Sequence, residues 1–151
     1  MSRPRVGFLI YTVLSSVLIC VSSMSSLKII NYQYHGLSLD VKEGKVVGWH
    51  INYDSNSPNW SIVAHGGHLI TIQNVASSEY LRVDGQEVVT GAAPYNWQEQ
   101  TVPGAWKQLA TTDGSKVLLL TGGSDGSPVV LKESNYRGQD AQWGFELTSD
   151  V

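Results

Sequence analysis

Short apolar runs separated by turn residues recur through the chain from residue 27 onward, and this pattern limits the fold more than any other feature. Runs such as "LKIINY" (27–32), "KVVGWHI" (45–51) and "KVLLL" (116–120) are four to seven residues long. Asp-Gly and Gly-Gly pairs, which favour tight turns, stand between many of them. No apolar spacing typical of an amphipathic helix is sustained. The pattern predicts an all-β domain of eleven short strands, either a barrel or a sandwich.

An internal repeat favours one of these architectures. The segment "LSLDV" at 37–41 returns as "YLRVDG" at 80–85, so that Asp40 matches Asp84, and Thr121 takes the same position in a third, partial copy. Each unit spans about 40 residues and cannot bury an apolar face alone, whereas three units packed around a threefold axis share one core. The sequence therefore predicts a β-trefoil of three related units.

A tryptophan follows each of these segments after 20 to 22 residues, at Trp60, Trp106 and Trp143. These side chains fit as core residues because a buried indole contributes a large apolar area. The interval from Trp106 to Thr121 is 15 residues, against 24 from Trp60 to Asp84. We therefore expect the third unit to be shortened.

The first 26 residues differ from the rest of the chain. Arg3 and Arg5 precede an apolar run, Val6–Val21, and small residues follow it. This order is typical of a secretory signal, and a run of 16 residues is short for a membrane span of about 20. We expect residues 1–26 to be a cleaved signal peptide or an uncleaved signal anchor. Residues 27–151 would then be one domain that is either secreted or anchored to the membrane on its extracellular side. If translation starts further along the chain, the domain stays in the cytoplasm.

Charge and cysteine content exclude several classes of function. Residues 27–151 carry 8 Lys and Arg against 13 Asp and Glu, and no basic run, which argues against nucleic acid as a partner. Cys20, the single cysteine, lies in the apolar segment, so the domain has neither a disulfide nor a thiolate ligand. His65 and His68 have no third ligand at metal spacing. We expect no metal, no cofactor and no enzymatic activity.

The first unit combines a carboxylate with an aromatic ring, as a sugar site requires. Asp40 ends a strand and would accept hydrogen bonds from sugar hydroxyls, while Trp49 would offer a ring face for stacking. The polar side chains of His50, Asn52 and Asn56 follow and would complete the site. In the alternative interpretation, Asp40 caps a turn and Trp49 packs in the core of the barrel. Glycans or glycoproteins are the partners that the first interpretation predicts.

A weaker second site is predicted in the second unit. Asp84 is its carboxylate, and Tyr95, Asn96 and Trp97 lie within reach along the chain. Ala92 stands where the first unit has Trp49, so one of the two later aromatic residues would have to provide the stacking face.

The chain resembles the fungal ricin B-like lectins over residues 28–148. The resemblance rests on "LSLD…VVGW…NW", "ITIQNVASSEYLRV" and "GSPVVLKESNYRGQDAQWGFEL" in this order. It implies a β-trefoil lectin for galactose or N-acetylgalactosamine, and a homodimer as in many such lectins. The family's Asn and Gln ahead of each unit's tryptophan are missing, since Ser57 and Pro58 stand there in the first unit. The repeats are therefore degenerate.

A protease inhibitor of the same fold is the alternative. Such a protein presents an extended surface loop to an enzyme cleft, and "GAAPYNWQEQTVPG" at 91–104 is a candidate for that loop. The partner would then be a protease and not a glycan.

Overall fold

The computed structural model describes residues 26–102, 104 and 106–148. Within this part the chain forms twelve β-strands and one 3₁₀ turn, Gln139–Ala141. The all-β prediction is confirmed. The predicted signal segment lies outside the described residues, except for Ser26. No helix of the described residues is long and apolar enough to cross a membrane.

The strands fall into three units of four. The first unit holds β1 (Leu27–Asn31), β2 (Leu37–Lys42), β3 (Lys45–His50) and β4 (Trp60–Ala64). The second holds β5 (Leu69–Asn74), β6 (Tyr80–Asp84), β7 (Glu87–Gly91) and β8 (Trp97–Thr101). The third holds β9 (Lys107–Ala110), β10 (Lys116–Leu120), β11 (Ser127–Glu133) and β12 (Trp143–Leu147).

Six of the strands close a barrel. The first and fourth strands of each unit pair in the cyclic order β1, β4, β5, β8, β9, β12 and back to β1, always antiparallel. The remaining strands form three hairpins, β2–β3, β6–β7 and β10–β11, which contact one another and cover one end of the barrel. This arrangement is a β-trefoil, as predicted.

One buried tryptophan in each unit marks the threefold symmetry. Trp60, Trp97 and Trp143 begin the fourth strands and are 0% exposed. Their indole Nε1–H groups donate to the backbone carbonyl oxygens of Leu39, Leu81 and Leu118, at 3.1, 2.9 and 3.0 Å. These three leucines, in the second strand of each unit, are therefore equivalent positions.

The structure corrects the predicted strand count and the predicted tryptophan of the second unit. The missed strand is β8, "WQEQT", whose polar residues show no apolar alternation. Trp97 is the core tryptophan of the second unit, whereas Trp106 is half-buried and stacks on Tyr32 with ring centroids 4.4 Å apart. The third unit is not shortened, since it has four strands over 107–147, and the second unit, 69–101, is the shortest.

Candidate functional site

The outward faces of the three hairpins occupy equivalent positions and carry different chemistry. Because side chains alternate along a strand, the residues beside each equivalent leucine point away from the core. The strand registers pair Ser38 with Trp49, Tyr80 with Gly91 and Val117 with Lys132. The triads are Ser38, Asp40 and Trp49 in the first unit, Tyr80, Arg82 and Gly91 in the second, and Val117, Leu119 and Lys132 in the third.

Asp40 is more deeply buried than an open sugar site would require. Its side chain is 1% exposed, and Oδ1 accepts a hydrogen bond from the backbone N–H of Val41 at 2.7 Å. Among the described residues, Asp40 Oδ2 and the hydroxyl of fully buried Ser38 have no hydrogen-bond partner. Buried polar atoms are normally paired with protein or with solvent, so both atoms have unused hydrogen-bonding capacity, which a ligand or a water can reach only if the side chains above them move.

Lys42 covers the predicted stacking face. Its ammonium lies 4.8 Å from the centroid of the Trp49 ring and 3.7 Å from Asp40 Oδ2. Lys42 shares the outward face of β2 with Ser38 and Asp40, because the three residues alternate along the strand. A ligand that stacks on this face of Trp49 therefore has to displace the ammonium of the chain's own lysine.

His50 is held by the third unit. Its backbone N–H donates to Asp125 Oδ1 and its ring Nδ1 lies against Asp125 Oδ2, both at 2.7 Å. The hydrogen bond from the His50 side chain lowers the pKa of Asp125 below its ordinary value. Gly126, next to Asp125, lies beside the Trp49 ring and has a φ of +89°. The loop 121–126 thus forms one wall of the site.

The two predicted accessory asparagines stabilise the loop between β3 and β4. Asn52 Oδ1 accepts from the N–H of Asp54 at 2.9 Å. Asn56 accepts twice from Asn59, through its carbonyl oxygen at 3.0 Å and through its side-chain oxygen at 3.2 Å. Asn56 is exposed and Asn52 is half-buried, so either side chain could reach a ligand only from the rim.

A buried lysine lies beneath this loop. Lys28 is 1% exposed, and its ammonium donates to Asn59 Oδ1 at 2.5 Å. Burial lowers the pKa of Lys28, while the charges of Asp40 and Glu146 act in the opposite direction. Tyr53 lies over the ammonium at 5.1 Å from its ring centroid and donates to Glu146 Oε1 at 3.1 Å.

The second hairpin lacks the carboxylate. Arg82 takes the position of Asp40, and its side chain lies across Gly91, which takes the position of Trp49. The guanidinium donates to the carbonyl oxygen of Ala93 at 2.8 Å. This hairpin therefore has neither the acceptor nor the aromatic ring of the first.

The residues predicted for the second site do not form one cluster. Trp97 is 0% exposed and packs in the core, so its predicted role in stacking is wrong. Asp84 is exposed and equivalent to Lys42, not to Asp40 as the repeat alignment suggested. Tyr95 packs edge-on against Trp97 at 5.0 Å, and the exposed Asn96 accepts from the Thr112 hydroxyl through its carbonyl oxygen at 2.6 Å.

The third hairpin is filled with apolar side chains. Val117 and Leu119 pack with Ala110 and Ala141 in a small buried cluster, with Tyr136 against it. Tyr136 donates its hydroxyl to Asp140 at 2.7 Å, and this bond raises the pKa of the tyrosine. The apolar cluster occupies the place where the first unit has two unpaired polar atoms.

Sequence reasoning missed Ser38, Lys42, Lys28 and Asp125 as parts of the first-unit site. The alternation of β2 could have identified Ser38 and Lys42, because both share the face of Asp40. Asp125 comes from another unit, and nothing in the local pattern connects it with His50. No group of three or more metal-binding side chains occurs in the described part of the chain.

Comparison with known proteins supports the fold. No protein-family model matches the chain, and no curated protein matches its sequence. A ricin B-like lectin of Macrolepiota procera, solved with lactose, superposes with a TM-score of 0.72 at 19% identity, covering 85% of this chain and 99% of the lectin. The chain shares the fold of the ricin B-like lectins.

Two further structures agree with this assignment. The agglutinin of Rhizoctonia solani superposes with a TM-score of 0.70 at 18% identity, over 85% of this chain and 99% of its own. ThreeFoil, a designed three-fold symmetric protein, gives a TM-score of 0.72 at 17% identity, over 80% of this chain and 97% of its own. The predicted resemblance is therefore confirmed at the level of the fold.

Proposed function

We propose that the protein is a non-enzymatic lectin that binds a glycan at the first hairpin. The observation that carries the proposal is the pair of buried, unpaired polar atoms, Ser38 Oγ and Asp40 Oδ2, beside Trp49. A sugar has adjacent hydroxyls for the two oxygens and a C–H face for the ring. A ligand that supplies these hydrogen bonds stabilises atoms that are otherwise buried without partners.

The predicted role of each residue follows from its position. Asp40 accepts from two hydroxyls, Ser38 donates or accepts, and Trp49 provides the stacking face once Lys42 moves away. His50 is fixed by Asp125 and limits the ligand from the side of the third unit. Asn52 and Asn56 contribute at the rim.

Galactose or N-acetylgalactosamine at the non-reducing end of a glycan is the proposed ligand. The lectin of Macrolepiota procera, which shares the fold, was solved with lactose, a galactose-terminated disaccharide. The loss of the family's Asn and Gln ahead of Trp60 leaves Asp40 and Ser38 as the main polar contacts, so we expect weak binding at a single site.

Isothermal titration calorimetry with lactose tests the proposal. Asp40→Asn and Trp49→Ala should each weaken binding at least tenfold, which corresponds to about 1.4 kcal/mol. Arg82→Gln changes the equivalent position of the second unit and is the matched control, with unchanged binding expected. If Arg82→Gln and Asp40→Asn lost the same affinity for lactose at unchanged thermal stability, lactose would not bind specifically at the first hairpin.

The protease-inhibitor alternative is weaker than the sequence suggested. The segment 91–104 does not form one extended loop, because the strand β8 (Trp97–Thr101) lies inside it and pairs with β5 and β9. Trp97 is buried, which removes the large aromatic side chain that such a loop would present.

We also propose that the domain is exported. The basic, apolar and small residues of 1–26 support a signal peptide or signal anchor. Amino-terminal sequencing of the protein purified from its source tests this: a start near residue 24 is expected, and an intact Met1 on a soluble cytoplasmic protein would contradict export.

A further inference from the structure

A polar groove on the outside of the barrel contains an arginine that forms no ion pair with the described residues. The Arg137 groove, as we name it, has a volume of about 550 Å³ and is lined by Tyr32, Gln100, Gln108, Arg137 and Gln142. Its floor is the pair β8–β9, in which Gln100 lies opposite Gln108. It is thus separate from the outward faces of the hairpins.

The pseudo-threefold symmetry shows what is unusual about this groove. The register of β12 with β1 places Glu146 opposite Lys28, at the positions that Gln100 and Gln108 occupy in the groove. In the β12–β1 pair, which joins the third unit to the first, the two side chains have opposite charges, and Tyr53 lies across both of them. In the groove both are neutral amides, so neither balances the charge of Arg137.

The guanidinium is held in a fixed position. Arg137 Nη1 donates to Gln108 Oε1 at 3.1 Å and to the carbonyl oxygens of Ser134 and Tyr136 at 2.5 and 3.2 Å. Gln108 is itself 1% exposed and donates to the carbonyl oxygen of Tyr136 at 2.7 Å. A buried amide therefore orients the arginine before any ligand arrives.

The remaining donors of Arg137 are available to a ligand. Arginine has five N–H groups, and the three on Nε and Nη2 donate to no acceptor in the described part of the chain. No carboxylate of the described residues lies within 4.0 Å of this guanidinium. The planar fork of an arginine matches a carboxylate, with which it forms two parallel hydrogen bonds.

We propose that the Arg137 groove binds the carboxylate of an acidic sugar, such as a uronic acid. The side-chain amides of Gln100 and Gln142 each donate once within the protein, to Gln98 Oε1 and to the carbonyl oxygen of Arg137, and keep a second N–H and a carbonyl oxygen for hydroxyls. Tyr32, which stacks on Trp106, adds an aromatic side chain to the lining. The volume lies within the range of small-molecule sites. This second site is independent of the proposed lactose site at the first hairpin.

Nuclear magnetic resonance titration of the ¹⁵N-labelled protein with sodium glucuronate tests the proposal. Glucose, at matched sodium chloride concentration, is the neutral control. Glucuronate should shift the side-chain amide signals of Gln100 and Gln142 saturably, and glucose should leave them in place. Saturable shifts of equal size with glucose would overturn the proposal, as would the absence of saturable shifts with glucuronate.

Three variants separate this site from the first. Arg137→Gln should weaken glucuronate binding at least tenfold, and Arg137→Lys should weaken it less, because the charge remains while the fork is lost. Asp40→Asn should leave glucuronate binding unchanged, so that failure of the lactose site and failure of this groove are distinguishable. Unchanged glucuronate binding in a folded Arg137→Gln protein would refute the role of the guanidinium.

Discussion

The first and third hairpins have equivalent backbones and opposite outward chemistry. In the first, Ser38 and Asp40 leave two buried oxygens without hydrogen bonds, and in the third Val117 and Leu119 fill the same positions with apolar contacts. The inward leucines and the tryptophan hydrogen bonds that determine the fold are repeated in both. The fold therefore depends on the inward residues, and the outward residues are free to differ among the units.

The equivalence of the three units rests on their core tryptophans. Among the predictions, the largest expected change is the loss of folding stability when Trp97 is replaced. Trp97→Ala should lower the free energy of unfolding by about 3–5 kcal/mol, because it leaves a cavity and an unpaired carbonyl on Leu81. Trp106→Ala, the control, should cost less than half as much, because Trp106 is half-buried. Urea denaturation measures both, and a larger loss in Trp106→Ala would break the alignment of the units.

Placing the aspartate of the first hairpin at the equivalent position of the third, Leu119, tests whether the two hairpins differ in their tolerance of a buried carboxylate. Leu119→Asp should lower the free energy of unfolding by about 3 kcal/mol at pH 7, because it places a carboxylate among the buried apolar side chains of this cluster. Leu119→Asn, which has the same shape without the charge, should cost less. Equal losses in the two variants, measured by urea denaturation, would mean that this place tolerates a carboxylate as the first unit does.

Removal of Lys42, which covers the Trp49 ring, should raise the affinity of the first-hairpin site for lactose. Lys42→Ala should tighten lactose binding about threefold, because the ammonium no longer competes for the Trp49 face, an interaction of about 0.5–1 kcal/mol. Lys45→Ala is the matched control, since Lys45 pairs with Lys42 across the hairpin and its loss changes the net charge equally. Calorimetry that finds both variants tightened alike would attribute the effect to charge alone.

The smallest expected change is in the melting temperature when the contact between His50 of the first unit and Asp125 of the third unit is weakened. The folded-state pKa of Asp125 is lowered by His50, so the contribution of this carboxylate to stability is present above its ordinary pKa of 3.8. It is lost progressively as the pH falls from that value through the lowered pKa of the folded state. Asp125→Asn should therefore lower the melting temperature slightly at pH 6 and by less at pH 3. A difference that is the same at both values would exclude the ionised carboxylate as its source.

Local patterns were sufficient to predict most of the fold. The apolar alternation of β2 and the short continuous apolar run of β10, together with the Gly-containing turns, indicated the all-β class, and the repeat of "LSLDV" indicated three units. The strand β8 was missed because its five residues, "WQEQT", carry only one apolar side chain, whose burial depends on packing in the barrel. Because β8 was missed, the sequence repeat assigned Trp106, and not Trp97, as the core tryptophan of the second unit.

The candidate site was predicted less completely than the fold. Asp40 and Trp49 do share one outward face, as the sequence suggested, but the alignment of Asp40 with Asp84 was two residues out of register. That register is defined by contacts between strands, which are the hydrogen bonds of the core tryptophans and the pairing of β1 with β2 and of β5 with β6. The wall that Asp125 and Gly126 add to the site comes from a different unit, and such a contact depends on tertiary structure.

The central claim is that a glycan binds the first hairpin and not its two equivalents. Titration of the ¹⁵N-labelled protein with lactose, observed at the tryptophan indole N–H signals, tests it most directly. We expect the Trp49 signal to shift saturably while those of Trp60, Trp97 and Trp143 stay in place, since these three are buried and donate to carbonyl groups. A saturable response elsewhere on the protein with an unmoved Trp49 signal would contradict the claim.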